Sequence, residues 1–403
     1  MSGALEGLRV IELADEKGEY CGRLLAGMGA DVVKVEPPGG APTRRFPPFA
    51  GDDPDPEKSL HFWHYNVGKR SVTLDLESAG GRELFARLCE RADVLVETLS
   101  PGALDALGLG YESLAARNPR LVVASITPFG QSGPLRDAPA SDLTLMALGG
   151  SMAVCGYNPP RPGEYDTPPL SCEANQAYQT ASVYAAHAIL AAVLHVEAGG
   201  EGQHADVSIL EAAASITEWH LPTYVFTGNV VPRGILGMQF EAKDGVWVST
   251  ILADFLGPRL FDLLLEILEP DGLDGELRAD VRLRDPAYRN RNPERVQEAL
   301  RGFCALHTSD EIYRIGQSKG FPWAPIRTPD ENLDDPHLRD RGFFVEVDHP
   351  ELGRAVPYPG GPFVASRTPW GFARRPPRLG EHDREIYGEL GLGEAELARL
   401  RSS

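Results

Sequence analysis

Basic residues are scarce in this sequence. Against 58 Asp and Glu there are 39 Lys and Arg, so the 403-residue chain carries a net charge of −19. A surface this acidic repels nucleic acid and anionic membranes at long range, so neither is expected as a partner. An anionic ligand then needs a local cationic site, for which the cluster Arg44, Arg45, Lys69 and Arg70 is the candidate. Cysteine is sparse as well. The five residues Cys21, Cys89, Cys155, Cys172 and Cys304 include no CxxC pair and are odd in number. This argues against a disulfide framework or a zinc site and for reduced thiols in the cytoplasm. No apolar run reaches the length of a membrane span; Leu143 to Cys155 is broken by Gly149 and Gly150. The opening MSGALEGLRVIEL has no basic segment leading into an apolar one, so no secretory signal is read. No His, Asp and Glu spacing suits a metal, and His61 and His64 of HFWH fall in a turn among aromatics.

What is present is an alternation of short apolar runs with helical stretches, in a chain of ordinary hydrophobic content, 42%. Leu8 to Leu13 and Asp31 to Val35 read as strands around a helix at Tyr20 to Met28. Asn66 to Leu76 is a turn running into a strand, Ser78 to Ala92 a helix, and Asp93 to Glu97 and Leu121 to Thr127 are buried strands. This order predicts an α/β fold with a largely parallel sheet, whose ligands bind at the carboxyl ends of strands, near Ala14, Pro37, Thr98 and Pro128. Glu36 ends the second strand where an NAD enzyme would keep its ribose-binding carboxylate. Yet the preceding turn, ADEKGEYCG, lacks GxGxxG, so NAD is not expected.

The stretch Leu170 to Ala213 organises the rest. From Ala174 to His195 it contains neither Gly nor Pro and is rich in Ala, which predicts a long helix, stopped by Gly199, Gly200 and Gly202. A short strand at Ala205 to Ser208 and a helix from Ile209 to Thr217 follow. Composition then shifts. Phe240 to Leu252 holds an Asp-Gly turn between strand-like segments, a hairpin signal. Helices are predicted at Phe255 to Leu268 and Asn292 to Leu306, and Thr308 or Ser309 is placed to cap the next one. From Asp335 onward a second hairpin leads into a proline-rich tail.

The phrases LEGLRVIEL, LLAGMGADVVKVEPPGG, NVGKRSVTLDL, ADVLVETLSPGALDALGLGYESL, NPRLVVASITPFGQSGP and GEGQHADVSILEA, in this order and spacing, resemble the class III CoA-transferase family. That family also includes carnitine CoA-transferase-like proteins and α-methylacyl-CoA racemases, and the turn ADEKGEYCG is similar to its benzylsuccinate CoA-transferase branch. The C-terminal GFPWAPIRTPDENLDDPHLRDRGFF fits the family's closing pattern. The resemblance implies a Rossmann-like large domain at 1–225, a smaller α+β domain at 226–335, and a segment at 336–403 returning to the large domain. Two chains, alike or related, would interlock as rings. Coenzyme A or acyl-CoA is the implied substrate, together with a free carboxylic acid, and no metal or NAD is involved.

In transferases of the family an Asp at the start of the long helix attacks the thioester and passes through anhydride and aspartyl-CoA-type intermediates. Counting back from Ile189-Leu190-Ala191-Ala192 places that position on Tyr178, whose hydroxyl, with a reference pKa near 10, is a poor substitute for a carboxylate. The nearest acids are Glu173 and, in the preceding loop, Asp166. Tyr178 then reads as a buried aromatic or a hydroxyl touching the thioester. Glu173 reads as a relocated nucleophile or as an acid favoured by the helix dipole. The racemases' His before the Asp of ASDLTL is replaced by Ser141, while Asp142 matches, with a structural or substrate-binding role. His187 and His195 read as packing or surface residues.

For the CoA site the resemblance points to Arg44, Lys69, Arg70 and Leu74, with the two cations of KRSVTL near the phosphates or in a solvated turn. Thr98, Leu99 and Ser100 would offer backbone contacts to adenine or pantetheine; a family-like arginine a few residues later is replaced by Ala106. Gly130, Gln131 and Gly133 form a glycine loop that either lines the acyl end or is a plain turn. Three functions stay open: a CoA-transferase moving CoA between an acyl-CoA and a free acid, a CoA-binding partner subunit without its own nucleophile, and an acyl-CoA racemase or isomerase, which Ser141 and Tyr178 disfavour.

Overall fold

A computed structural model of the chain describes residues 3–156, 167–230, 233, 237–251 and 257–393. It divides into two compact units. The first consists of Met1–Cys155, Pro169–Pro232 and Pro336–Ser403, the second of Gly156–Pro168 and Arg233–Asp335.

The first unit is built on a six-stranded sheet of β1 (Arg9–Leu13), β2 (Asp31–Glu36), β3 (Arg70–Thr73), β4 (Val94–Glu97), β5 (Val122–Thr127) and β6 (His204–Ser208). The strands run in the order β3-β2-β1-β4-β5-β6, all parallel. Val10 pairs with Val32 on one side and Val94 on the other, and all three are buried. A parallel sheet covered on both faces needs such continuous apolar runs, which is why these segments are legible as strands. Strand order reverses between β1 and β4, and in open α/β sheets ligands bind outside the carboxyl ends at such a switch point.

One face of the sheet is covered by α1 (Glu19–Gly27) and the 22-residue helix α5 (Gln176–Glu197). The other carries α3 (Ala79–Cys89). Two shorter helices matter for the site, α2 (Leu60–Asn66) and α4 (Asp142–Leu148), with α6 (Ile209–Ser215) following β6. The HFWH segment expected as a turn is therefore helix. Its start signal is Ser59, whose side chain accepts from the Phe62 N–H at 3.2 Å.

By length and composition alone α5 is apolar enough to cross a membrane. The chain uses it otherwise: Ala177, Ala181, Ala185, Ile189, Ala192 and Val196, at helical spacing, pack into the core, and the small Ala side chains let α1 and the sheet approach closely. The outer edge strand β3 is closed by the helix Asp383–Glu389, where Asp383 accepts from the Thr73 N–H and the Tyr387 hydroxyl donates to the Thr73 carbonyl. A hairpin of Phe344–His349 and Arg354–Pro359 precedes it.

The second unit has the expected Asp-Gly hairpin. Gly237–Glu241 and Trp247–Ile251 are antiparallel, with Gly245 at φ 79° in the turn. Ala324–Pro325 adds a third strand too short to read from the sequence. Helices Pro258–Leu268, Glu294–Leu306 and Ser309–Ser318 pack on it, and Thr308 caps the last in a reciprocal capping box with Glu311.

Candidate active site

At the strand reversal the β1–α1 turn meets the end of β4. The Thr98 hydroxyl donates to Asp15 Oδ1 at 2.9 Å and accepts from the Asp15 N–H at 3.0 Å, tying the two strand ends together. The same turn meets α5, since the Ser182 hydroxyl donates to the Lys17 carbonyl at 3.3 Å. Ser182 lies one turn beyond Tyr178. The structure thus brings Thr98 and the start of the long helix to one place.

Tyr178 is nearly enclosed, at 8% exposure, in the core cluster beside α1. Burial, with the charges of Glu16 and Asp142, pushes its hydroxyl pKa up to about 12, so it is no anion near neutral pH. Its backbone N–H is taken by Asp142 Oδ1 at 3.1 Å. The helix has no side-chain cap of its own, because Asn175 sits at φ 53°. Asp142, from α4, therefore satisfies N–H groups that the first turn of α5 leaves free. Burial raises the Asp142 pKa and these backbone bonds oppose the rise. Ser141 caps α4 in a box with Thr144.

Glu173 lies five residues before Tyr178 on the exposed approach to the helix, and its carbonyl accepts from Gln176 Nε2 at 3.0 Å. Between Glu173 and the helix, Ala174 (φ 68°) and Asn175 (φ 53°) are both left-handed. An alanine there is strained by roughly 1 kcal/mol, a kind of outlier that concentrates at functional sites. Asp166 falls outside the described residues. His187 and His195 are exposed.

The cations assigned to phosphate are committed elsewhere. Lys69 is fully buried, and its ammonium donates to Glu12 (2.9 and 2.7 Å), the Glu19 carbonyl (2.8 Å) and Asn66 Oδ1 (3.0 Å). Lys34 shares the same acids, at 3.2 Å from Glu12 and 2.8 Å from Glu19. Burial opposes its charge, but Glu19 and Glu12 together hold its pKa above the usual range. Gly22 makes room for this cluster: a Cβ there would stand 1.7 Å from Glu12 Oε2. Arg44 is 1% exposed, forked onto Glu36 at 2.6 and 2.8 Å, with the Phe62 ring 3.8 Å away. Glu36, the residue at an NAD enzyme's ribose position, is thereby occupied.

Arg70 opens β3 and pairs with Asp31, Glu385 and Glu389, so it lies at the amino end of the sheet, about 10 Å of strand from the carboxyl ends. The physical reason is the same for all three cations: in a sheet buried on both faces, a charge needs an internal counter-charge. Leu74 is a core side chain at 3% exposure, packed in the cluster beneath α3. Arg45, at the surface, donates to the Gly39 carbonyl.

The remaining candidates do lie at carboxyl ends. The Leu99 N–H donates to Glu97 Oε2 at 2.7 Å, and Ser100 is exposed. Gly130 is at φ 86°, a conformation open to glycine. The next amide, of Gln131, is bound by both Asp206 carboxylate oxygens at 3.0 and 2.9 Å.

A further polar cluster stands beside α1. Arg23, on α1, is 4% exposed, and among the described residues no carboxylate pairs with it. It donates to His64 Nε2 (3.1 Å) and the Pro359 carbonyl (2.6 Å), while its Nε is buried without a partner. Around it stand Tyr20, His61 and Tyr65, and Gln179 Nε2, next to Tyr178, donates to the Tyr65 hydroxyl at 3.2 Å. The signal available in the sequence was the aromatic and histidine density of HFWHY.

Comparison with known proteins bears on what this site serves. The pattern of the family described as CoA-transferase family III matches residues 5–383. Subunit BbsE of succinyl-CoA:(R)-benzylsuccinate CoA-transferase from Thauera aromatica is 34% identical, covering 97% of this chain and 95% of the relative. Succinyl-CoA:mesaconate CoA-transferase of Haloarcula hispanica is 35% identical, with 97% of each chain covered. Formyl-CoA:oxalate CoA-transferase of Streptomyces avermitilis is 33% identical, over 100% of this chain and 99% of its own. Among solved structures, a CAIB/BAIF family protein from Brucella suis superposes with a TM-score of 0.83 at 29% identity, over 97% of this chain and 100% of that one. With its parallel sheet, its long helix over the strand reversal and these matches across nearly its whole length, the chain belongs to CoA-transferase family III.

Proposed function

We propose that this chain works in the transfer of CoA between an acyl-CoA thioester and a free carboxylic acid, as the member of a two-chain assembly that binds the thioester but does not supply the carboxylate nucleophile. The observation that carries this reading is Tyr178. The sheltered start of α5 offers a tyrosine whose pKa is pushed up to about 12, and Asp142, the acid beside it, is engaged with the helix backbone. A neutral phenol cannot form the anhydride that lets a carboxylate exchange one acid for another on CoA. A related chain would carry that group.

Support for a second chain comes from the helix His220–Thr227, which has no buried residue and exposes Leu221 (67%), Val225 (67%) and Phe226 (87%). Apolar side chains grouped this way ordinarily meet a partner. The reading extends to interlocked rings, to a cytoplasmic location, and to CoA lying across the carboxyl ends of β1, β4 and β5 near Thr98, Leu99, Ser100 and Gly130. The Relatives' names include subunits, which agrees with a paired assembly.

A second reading, a self-sufficient transferase using Glu173, is favoured by the left-handed Ala174 and Asn175 next to that acid. One experiment separates the two. The purified chain is incubated with an acyl-CoA, treated with hydroxylamine or borohydride, and its peptides are weighed. CoA-ester binding without a modified carboxylate is the expected result. A modified Glu173 would overturn the partner-subunit reading, and absence of any CoA-ester binding would overturn the proposal as a whole.

A further inference from the structure

Arg136 is a cation that the fold leaves uncommitted. It stands in the connection between β5 and α4, and its ion pair is with its own neighbour Asp137, at 3.9 Å, beyond hydrogen-bond reach. The Asp137 side chain is 79% exposed, so water weakens even that pair. Among the described residues the guanidinium has no hydrogen-bond partner, and its Nε is buried in that state. A guanidinium carries five N–H donors, and burying one of them unpaired costs free energy until an acceptor is bound. Other cations near the carboxyl ends of the sheet are occupied. Lys17 is paired with Asp15, Arg44 is forked onto Glu36, and Arg45 donates to the Gly39 carbonyl. Arg82, on α3, donates to the Leu76 and Glu77 carbonyls at 3.0 and 2.8 Å.

The loop that leaves β4 makes room for this side chain. Gly102 sits at φ 80°, and a Cβ there would stand 2.7 Å from Arg136 Nη2. Glycine at this position therefore both permits the turn and lets the guanidinium lie against the chain. Arg136 thus joins the two loops that follow β4 and β5, at the edge of a parallel sheet where ligands are received. Ser100, two residues before Gly102, is exposed in the same loop. Acids of the neighbouring strands are otherwise engaged. Glu97 accepts from the Leu99 N–H at 2.7 Å and Asp206 from the Gln131 N–H at 3.0 and 2.9 Å, and neither forms an ion pair with Arg136.

We propose that Arg136 binds a phosphate of CoA and anchors the nucleotide end over the loops after β4 and β5. This rests on the CoA-transfer reading above, and it gives that ligand a cation which Arg44, Lys69 and Arg70, held by internal acids, do not supply. A phosphate brings several acceptor oxygens to a fork of donors that has none. In a chain of net charge −19, an uncommitted arginine at this end of the sheet also offsets the repulsion that an anionic ligand meets on approach.

The test titrates the full-length chain calorimetrically with CoA and with dephospho-CoA, which keeps the diphosphate but lacks the phosphate on the ribose. Arg136→Met is expected to weaken CoA binding by roughly ten- to a hundredfold, the scale of charge-assisted hydrogen bonds to an anion. Arg136→Lys should recover part of that loss, since it keeps the charge without the fork. An equal loss for both ligands assigns the arginine to the diphosphate, and a loss for CoA alone assigns it to the ribose phosphate; either supports the inference. The Met variant should also show a shallower fall of affinity with added salt, which a disturbed loop would leave unchanged. Wild-type affinity for both ligands in Arg136→Met would overturn the inference alone, as would a loss with the salt dependence intact. Failure of the wild type to bind either ligand would overturn it together with the CoA reading.

Discussion

Two groups of buried cations sit within α1, α2 and the strands beside them, and they are handled in opposite ways. Lys34 and Lys69 face Glu12 and Glu19 with every ammonium donor satisfied, two positive charges against two negative ones, and only Glu19 Oε2 is left buried without a partner. Arg23 rests on a neutral histidine and a carbonyl. The closed cluster ties β1, β2 and α1 to the segment before β3, so it serves the fold. The open one faces the first turn of α5, where substrate chemistry is expected. The position of a cation in a familiar phrase is therefore a weaker guide to ligand binding than whether the protein already spends that charge on itself.

The comparison breaks most visibly at Lys69. Lys69→Met strands Glu12 beside a single lysine in a dry interior and is expected to cost about 3–5 kcal/mol of unfolding free energy in a denaturant titration. A loss below about 1 kcal/mol would show that Lys69 and Glu12 do not depend on each other for stability.

A second effect comes from His64. Burial, then Arg23 beside it, lowers its pKa to about 3. Below a pH of about 6.5 the unfolded chain takes up a proton there that the folded chain refuses. Stability is thus lost as pH falls from about 6.5 toward 3, by at most about 1.4 kcal/mol per pH unit from this residue. His64→Leu should flatten the stability–pH slope relative to wild type in that window, and identical slopes would remove the protonation-resistant histidine from the picture.

The smallest change is expected at Arg23. Arg23→Met gives up two neutral hydrogen bonds but also the burial of an uncompensated charge, and stability should move by no more than about 1 kcal/mol. A loss as large as at Lys69 would erase the contrast and make Arg23 a structural residue.

Much of the scaffold was legible. Apolar runs at Val10, Val32, Val94 and Val122 announced the parallel strands, the Asp244-Gly245 pair its hairpin, Thr308 its cap, and the Ala-rich run its long helix. These depend on periodicity and on side chains acting on their own backbone, which are local. The seven-residue helix Leu60–Asn66 was expected as a turn, because its one local start signal, the capping Ser59, was outweighed by a cluster of aromatic neighbours. The placement of Tyr178 at the start of the long helix also followed from the chain alone, by counting along a family pattern.

What the sequence by itself determined was the α/β order, the family, and a tyrosine in the first turn of the long helix. Which charges remain available to a ligand was decided only by the tertiary structure. Lys69 meets Glu12 across 57 residues of chain, Arg70 meets Glu389 across 319, and Tyr178 meets Asp142 across 36. Each of those pairings depends on strand register and helix packing, and a charge shows itself as paired or free only when the desolvated surroundings from distant segments close around it.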